Sequence, residues 1–367
     1  MINIKKRLHA HFYSFVDKIA YKCDLKRRAE VANLRSNRWP HAQLSAKEIN
    51  EIKKIWGGKT TNYRCFGVYK KMYGVFDPHF CPDDYYDFAE HVLNLRWSAY
   101  FLQHKCNLKY FIPERNRAIN ILRKIDGHYV NEKNEEISEK EAISVLMKHP
   151  VFMAKKGRAT GGGKGVRKIV LKEIPDIKSF WDSLLVMNDI EFENVIEQNK
   201  FLSQFNEDSV NTFRMLTLNI NGSCTLLSTF LRMGTKGVFV DNIASGGIWV
   251  GIDPNGKFCE YGLNLAAEKK LESSTGIVFK NQKVPNWEYI KNKILGFHRL
   301  IPYANLIGWD VTLDKEGEPI VVEVNLDSCF IEEHQVFNGP VFGERLMEVM
   351  QYIDTRKPLL MHQMMTY

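Results

Sequence analysis

The sequence predicts an α+β protein in which antiparallel strands follow a mainly helical N-terminal region. Residues 307–325 read as a β-hairpin, because two apolar runs flank a polar segment, 314–318, whose glycine suits a tight reversal. Residues 151–171 read as a second pair of strands joined by a glycine-rich loop. Before residue 106, apolar residues recur at three- and four-residue intervals, which is typical of amphipathic helices.

The hairpin carries polar side chains among apolar neighbours. Strand side chains alternate between faces, so Glu323 and Asn325 are expected on one face and Val322 and Val324 on the other. With the turn centred near position 316, Asp310 lies across from Glu323. Two buried carboxylates are costly unless a cation neutralises them, and carboxylate and amide oxygens suit Mg²⁺. An exposed hairpin face with ordinary charges is the alternative.

Composition limits the class of protein. The 367 residues can bury a large core and are expected to form two or three subdomains. Neither a secretory signal nor an apolar run of about 18 residues occurs, so we expect a soluble protein. The seven cysteines are scattered without CxxC spacing, which argues for reduced thiols in the cytoplasm and against a zinc site.

The first 40 residues hold most of the net positive charge. They contain ten Lys or Arg against three Asp or Glu, a surplus of seven out of the formal +8 of the chain. Apolar residues recur there at helical spacing, at Ile4, Leu8, Phe12, Phe15 and Ile19. A basic amphipathic helix is typical of docking on anionic lipid or an acidic partner. The alternative is a helix that packs on its own domain with a solvated basic face.

Between residues 44 and 145 the chain is mixed. Ser45 and Glu48 have the spacing of a capping box, which predicts the start of a short helix. Residues 83–105 have helical periodicity. The polar segment 131–141 is expected to be a surface connection that leads into a helix.

The glycine-rich loop of residues 161–165 could place backbone N–H groups around phosphate oxygens, and Lys164 adds a charge there. It is not a P-loop, because Lys164 is followed by Gly165 and the required first glycine would fall at Arg158. It does not match a dinucleotide fingerprint either, because strand residues and not a helix follow it. A glycine hairpin between two strands favours a flexible lid, and a plain mobile hairpin tip is the alternative.

Further strands follow the loop. Residues 192–197 are predicted as a strand that ends in polar residues, and residues 212–218 and 223–233 as strands around an Asn221-Gly222 turn. Arg214 and Arg232 lie inside these strands. A strand arginine beside an acidic site that handles phosphate is expected to bind an anion in a bidentate manner.

These features together resemble the ATP-grasp fold, and more narrowly the sugar-transfer associated ATP-grasp family found among polysaccharide-biosynthesis proteins. The match covers roughly residues 85–353, and the spacing of the three candidate metal ligands is its most specific part. The residues that carry the resemblance are AYFLQHKCN, KIDGHYVNEKNEEISEKEA, KKGRATGGGKGV, SVNTFRMLTL, LRMGTKGVFVDNIASGG and GWDVTLDKEGEPIVVEVN.

The resemblance implies roles for the basic residues and the glycine loop. Lys105 looks like the first nucleotide-binding lysine, although His104 stands where an acidic residue is usual. Lys155 looks like the second and would reach the α- and β-phosphates, with Lys156 as the alternative register. The residues expected to cover the phosphates are Gly161, Gly162, Gly163, Lys164 and Gly165.

It also implies an adenine hinge, an acyl-phosphate site and a metal site. The expected hinge residues are Glu197, Gln198 and Asn199. Arg232, supported by Arg214, would contact the γ-phosphate and the acyl group. The expected ligands of one or two Mg²⁺ ions are Asp310, Glu323 and Asn325.

By this resemblance the chain divides into a basic helical region at 1–60, a linker region at 61–145 and an ATP-grasp domain at 146–367. The expected subdomains are a lid at about 105–195 and a catalytic part at about 196–355, which grip ATP between antiparallel sheets. The expected location is the cytoplasm, with possible membrane or anionic-carrier contact through residues 1–40.

The activity that the resemblance implies is ATP-dependent joining of a carboxylate to an amine through an acyl phosphate, in the synthesis of a surface glycan. The expected cofactors are ATP and Mg²⁺, and the expected partners are small-molecule or glycan carboxylates and amines, with no nucleic acid. A phosphotransferase and a non-catalytic nucleotide-binding partner of a glycosyltransferase assembly remain alternatives.

Overall fold

The structure is a computed structural model that describes residues 39–157, 165–235, 246–327 and 329–363, together with residue 237 and isolated positions between 23 and 37. Helices precede two antiparallel sheets, so the predicted α+β class is confirmed. The predicted N-terminal helix and residues 158–164, which include most of the glycine-rich loop, lie outside the described residues. Among the described residues, no helix is long and apolar enough to cross a membrane.

Four helices among the described residues lead into the sheets. The predicted capping box is confirmed, because Ser45 Oγ accepts from the Glu48 backbone N–H while the Glu48 carboxylate accepts from the Ser45 backbone N–H. The helices are α1 (Ala46–Trp56), α2 (Arg64–Tyr73), α3 (Asp83–Leu93) and α4 (Arg96–Leu102). A 3-10 helix at Lys105–Tyr110 follows them.

The helical segment predicted over 83–105 is not one continuous helix. The helix is interrupted at Asn94, between α3 and α4. Asn94 Nδ2 donates to the carbonyl oxygens of Leu306 and Leu326, at 2.6 and 2.7 Å. Asn94 Oδ1 accepts from the backbone N–H groups of Asn305 and Leu306, at 3.0 Å each. The Asn94 side chain thus supplies hydrogen-bond partners to four buried or half-buried backbone groups next to the predicted hairpin. The periodicity of a helix is a local pattern and does not predict contacts with such distant residues.

The first sheet, which we call the lid sheet, has six strands within the described residues, in the spatial order β3-β2-β1-β6-β4-β5. One of its faces packs Phe152 and Phe192 against Trp181 and Leu184 of a helix. The strands are β1 (Asn120–Ile125), β2 (His128–Asn131), β3 (Glu136–Ile137), β4 (Val151–Lys156), β5 (Val166–Val170) and β6 (Ile190–Glu193). The helices on that face are α5 (Glu139–Leu146) and α6 (Ile177–Leu185).

The predicted strand at 192–197 is shifted in the structure. β6 spans Ile190–Glu193, so residues 194–197 lie beyond the end of the strand. The predicted strands on either side of the glycine loop are confirmed as β4 and β5.

The second sheet, which we call the catalytic sheet after the part of the chain that is expected to be catalytic, has seven strands within the described residues, in the order β11-β10-β9-β8-β7-β12-β13. Asn221 and Gly222 have φ values of 51° and 76°, as the predicted two-residue turn between β7 and β8 requires. The strands are β7 (Thr212–Ile220), β8 (Ser223–Met233), β9 (Ile248–Ile252), β10 (Phe258–Leu263), β11 (Lys269–Lys270), β12 (Leu306–Leu313) and β13 (Pro319–Asn325). The helices after the lid sheet are α7 (Lys200–Ser203), α8 (Trp287–Leu300), α9 (Ile331–Asn338) and α10 (Leu346–Gln363).

The predicted hairpin is confirmed as β12 and β13, with Asp310 paired to Glu323. The pairing then shifts by one residue, so that Val311 pairs with Val321 and Val322 forms a bulge. Val321 and Val324 are buried in the apolar core, whereas Val322 lines the same cleft as Glu323. The predicted placement of Val322 on the opposite face from Glu323 is therefore wrong, because strict alternation fails at a bulge.

A buried chain of hydrogen bonds fixes α8 to the catalytic sheet. Trp309 Nε1–H donates to Thr217 Oγ1 at 2.7 Å, and Thr217 Oγ1 lies 2.7 Å from His298 Nδ1. His298 Nε2 lies 2.9 Å from the Ala304 carbonyl oxygen, so this nitrogen donates and Nδ1 accepts from the threonine hydroxyl. Burial lowers the pKa of His298 to about 4, which keeps the ring neutral.

We expect Thr217→Val to lower the free energy of unfolding by about 2–4 kcal/mol, because it leaves the Trp309 N–H and His298 Nδ1 buried without partners. Urea unfolding measures the difference. Thr312→Val is the matched control on the same sheet, since Thr312 Oγ1 is buried with no hydrogen-bond partner among the described residues. The control should change stability by less than about 1 kcal/mol. Equal losses in the two variants would contradict a role for the hydrogen-bond chain.

Candidate active site

A cleft of about 140 Å³ lies between the lid sheet and the catalytic sheet. Residues from both sheets and from the 3-10 helix before the lid sheet contribute to its walls. The lining residues are Lys105, Met153, Lys155, Val166, Glu193, Val195, Ile196, Val210, Thr212, Arg232, Asp310, Val322 and Glu323. Six of these thirteen side chains are apolar and six are charged, so the lining suits a molecule that has both an apolar part and a charged part.

Asp310 is the buried acidic centre of the catalytic sheet. Arg214, its cross-strand neighbour on β7, donates to it through Nε at 2.6 Å and through one terminal nitrogen at 3.1 Å. Arg232 on β8 places a terminal nitrogen 3.6 Å from the same carboxylate. Burial alone would raise the pKa of Asp310, but the two guanidinium groups outweigh it and hold the pKa below its usual value. The predicted arginines therefore meet the predicted metal ligand, and Asp310 is ionised at neutral pH.

Glu323 connects the two sides of the cleft. It lies on β13 next to Asp310, and the Lys105 ammonium group, carried by the 3-10 helix before the lid sheet, forms an ion pair with it. Lys105 is only 8% exposed, whereas the Glu323 side chain is 30% exposed, so water reaches the pair from the carboxylate side. The interaction bridges the elements on either side of the cleft, and the sequence analysis did not predict it.

Asn325 completes the predicted trio of oxygen-bearing side chains. Its Nδ2 lies 3.5 Å from Asp310 Oδ2 and donates to the Gly308 carbonyl oxygen at 3.2 Å. Among the described residues, no three His, Cys, Asp or Glu side chains form a metal-binding group, so a metal here would depend on two carboxylates and the asparagine. Two carboxylates and an amide oxygen with an open cleft beside them fit the preference of Mg²⁺ for oxygen ligands and retained water.

Lys155, and not Lys156, points into the cleft. Lys155 is 6% exposed and forms an ion pair with Glu193, whereas Lys156 is exposed. Burial would lower the pKa of Lys155, but the carboxylates of Glu193 and Glu191 outweigh it and raise the pKa. The ammonium charge is therefore retained inside the cleft wall.

Glu191 and Glu193 are functional candidates that the sequence analysis missed. They lie on β6 with Phe192 between them, and Phe192 packs in the core of the lid sheet while both glutamates are buried beside Lys155. The signal was available as an alternation of acid, aromatic and acid in a strand. It was obscured because the predicted strand began two residues too late.

The three predicted hinge residues lie beyond the residues that line the cleft. Gln198 donates to the carbonyl oxygen of Ser209 and accepts from the Asn211 backbone N–H, at 2.5 and 3.0 Å. Asn199 caps α7, and Glu197 is exposed. In the described part of this segment, the residues that line the cleft are Val195 and Ile196. The hinge role of 197–199 stays a prediction.

The family model of sugar-transfer associated ATP-grasp proteins matches residues 117–351. A comparison with curated proteins returned no match.

Several solved structures resemble the chain weakly. An L-amino acid ligase from Bacillus licheniformis is 14% identical, with 62% of this chain and 41% of that chain covered and a TM-score of 0.35. A D-alanyl-alanine synthetase A from Vibrio cholerae is 12% identical, with 69% and 65% covered and a TM-score of 0.39. A D-alanine–D-alanine ligase from Bacillus anthracis is 12% identical, with 74% and 72% covered and a TM-score of 0.40. Similarities this low carry no inference about chemistry.

The family match spans more than half of the chain and includes both sheets and every residue that lines the cleft except Lys105. The protein therefore belongs to the sugar-transfer associated ATP-grasp family, and the predicted ATP-grasp fold is confirmed.

Proposed function

We propose that the protein is an ATP-dependent carboxylate–amine ligase that works through an acyl phosphate. The observation that carries the proposal is the convergence of cations and carboxylates from both sheets on one cleft. Lys105, Lys155 and Arg232 supply positive charge there, and Asp310 and Glu323 supply the oxygens for a divalent cation. Phosphoryl transfer needs this combination, since the protein's task is to position phosphates and neutralise their charge.

The apolar part of the cleft suits the base of the nucleotide. Met153, Val166, Val195, Ile196 and Val322 present side chains with no competing charge. An adenine ring could bury its faces among them while the phosphates extend towards the charged side chains.

In the first chemical step, an oxygen of the substrate carboxylate attacks the γ-phosphorus of ATP, and ADP leaves. Both reactants are anionic, so the step requires positive charge that is positioned beforehand. Lys155 and Arg232 would supply it from the two sides of the cleft. Asp310, Glu323 and Asn325 would hold Mg²⁺, which polarises phosphoryl oxygens when bound.

In the second step, the amine nitrogen attacks the acyl carbon, inorganic phosphate leaves, and the amine loses a proton. Water competes with the amine for the acyl phosphate, so the cleft must exclude it. The glycine loop between β4 and β5 would serve as the cover. No side-chain nucleophile is needed in this sequence of steps.

The paired charges in the cleft indicate how ATP would bind. Lys155 pairs with Glu193, Lys105 with Glu323, and Arg214 with Asp310. Removing one partner from a buried pair is costly, because it leaves a charge without compensation. In such a pair, a phosphate would take the place of the carboxylate beside the cationic side chain, and a divalent cation would take the place of the cationic side chain beside the carboxylate. If the two arrive together, neither side chain is left without a counter-charge. We therefore expect ATP and Mg²⁺ to bind as a unit.

The acceptor class follows from the family description alone. A family associated with sugar transfer suggests an acidic sugar or an amino acid destined for a glycan. The two alternatives are a phosphotransferase that leaves its product as a phosphate ester and a non-catalytic nucleotide-binding partner in a glycosyltransferase assembly.

Product analysis separates these alternatives. The protein is incubated with ATP, Mg²⁺ and candidate pairs of acids and amines, and the products are identified by mass spectrometry. A ligase yields ADP, inorganic phosphate and an amide in equal amounts. A phosphate ester formed with ADP, or ATP binding with no turnover, would replace the proposal with one of the two alternatives.

We expect Glu323→Gln to lower Mg²⁺-dependent ADP release by a factor of about 10²–10³, because a neutral amide binds the cation and stabilises the transferring phosphoryl group less well. The variant should remain folded, since Glu323 is half-buried at the cleft. Steady-state ADP release and thermal unfolding measure the two effects.

The matched control is Glu316→Gln, which neutralises an exposed acid in the turn of the same hairpin. It should release ADP at the wild-type rate. Glu323→Gln removes the counter-charge of Lys105 at a half-buried position, whereas Asp310→Asn is less clean, because Asp310 is itself buried and is the counter-charge of two arginines. Near-wild-type ADP release by Glu323→Gln would exclude Glu323 from the metal site.

A further inference from the structure

Glu191 is a buried acid that the proposed reaction does not yet use. It lies at the centre of the lid sheet, paired in register with Lys155 on β4 and with Arg123 on β1. Only 6% of it is exposed, and the side chain accepts a hydrogen bond of 3.0 Å from Asn120 Nδ2 through Oε1. Glu193, two residues along the same strand, forms the ion pair with Lys155.

One lysine therefore faces two carboxylates. Lys155 can neutralise one of them, and its contact is with Glu193. The other nearby cations are committed elsewhere, since Lys105 pairs with Glu323 and Arg123 donates to the Cys106 carbonyl oxygen and to Asn134 Oδ1. Glu191 is therefore left without a direct ion pair among the described residues.

The remaining titratable groups around this region lie further along neighbouring elements. Burial is the main cause that lowers the pKa of Arg117 and of Lys109, and the charge of Glu191 opposes this only weakly. Burial raises the pKa of the Cys106 thiol, so it is neutral. None of these three groups supplies Glu191 with an ion pair among the described residues.

Burial, followed by the negative charge of Glu193, raises the pKa of Glu191 to about 8, against the opposing effects of Lys155 and Asn120. Glu191 is thus a neutral acid at pH 7.

We propose that Glu191 is a positioning residue that holds a proton so that the Lys155 ammonium group remains available to the phosphates of the nucleotide. This inference rests on the proposed function, in which Lys155 meets those phosphates. A neutral Glu191 leaves Lys155 with a single carboxylate partner, Glu193, which the phosphates can replace. An ionised Glu191 would compete for the ammonium group and repel the phosphates.

Asn120 is suited to either state of the acid. Its Nδ2 donates to Glu191 Oε1, while its Oδ1 is buried with no partner among the described residues. A half-turn of the amide would bring that oxygen to Glu191, where it could accept the O–H of the acid. The same residue can therefore hold Glu191 before and after the loss of its proton.

The inference makes nucleotide affinity depend on pH. Phosphates bound at Lys155 add negative charge beside Glu191 and favour its neutral form, so the nucleotide binds the protonated protein more tightly. The dissociation constant should then rise as pH passes through the pKa of Glu191, approaching about tenfold per pH unit well above it. Glu191→Gln cannot ionise, so its affinity should lack this rise.

Binding of ADP with Mg²⁺ to the full chain is measured by calorimetry between pH 6.5 and pH 9.5. Wild type and Glu191→Gln should bind about equally at pH 6.5, and the variant should bind at least several-fold more tightly at pH 9.5. Ionisation of the ligand is common to both proteins and cancels in their comparison. Glu191→Asp keeps the acid and should restore the pH dependence, and the exposed Glu316→Gln should leave it unchanged.

Proton uptake provides a test that needs no variant. At pH 8.5, binding converts ionised Glu191 into the acid, so the wild type should take up a fraction of a proton, at most one, measured from binding heats in two buffers of different ionisation enthalpy. No uptake, or a wild-type pH dependence in Glu191→Gln, overturns the inference and leaves the ATP-dependent function standing. Failure of the wild type to bind ADP at pH 6.5 overturns both.

Discussion

The bidentate ion pair between Arg214 and Asp310 is the interaction on which the organisation of the cleft depends. It joins the neighbouring strands β7 and β12 of the catalytic sheet, and both side chains are buried. Burying either charge alone would cost several kcal/mol, so the two strands must remain in one register for the pair to form. On its other side, Asp310 is paired with Glu323 on β13.

The two faces of the catalytic sheet carry different kinds of side chain, apolar on one face and charged on the other. Phe213, Met215 and Trp309 point towards α8 and form an apolar core. Arg214 and Asp310, which alternate with them along the strands, point towards the cleft. Because the apolar face fixes the strands, the polar face can hold charges in positions that would be unfavourable in a less rigid support. A bulge at Val322 adjusts this alternation and adds an apolar contact to the cleft.

The lid sheet repeats this arrangement with a different balance of charge. Phe152 and Phe192 are buried on one face, and Lys155, Glu191 and Glu193 lie on the other. Two carboxylates beside one ammonium group leave one acid in excess, and burial makes the neutral form of that acid favourable. A proton on Glu191 therefore balances the charge on this side of the cleft.

The hairpin around Asp310, Glu323 and Asn325 could be predicted from the sequence, because an apolar setting makes acidic side chains conspicuous and strand alternation is a local property. The capping box at Ser45 and the turn at Asn221 were predictable for the same reason, since each depends on residues only a few positions apart.

Contacts between distant residues were decided only by the tertiary structure. The break at Asn94 serves backbone groups more than 200 residues later, and the pairing of Lys105 with Glu323 joins segments 218 residues apart. The bulge at Val322 arises from pairing between strands. The pKa of Glu191 depends on its burial and on which cations and carboxylates the other strands place beside it. Local patterns in the sequence determine which side chains share a face of one strand. Which charges meet, and hence which of them stay ionised, depends on the arrangement of several strands and on burial, and a linear pattern contains neither.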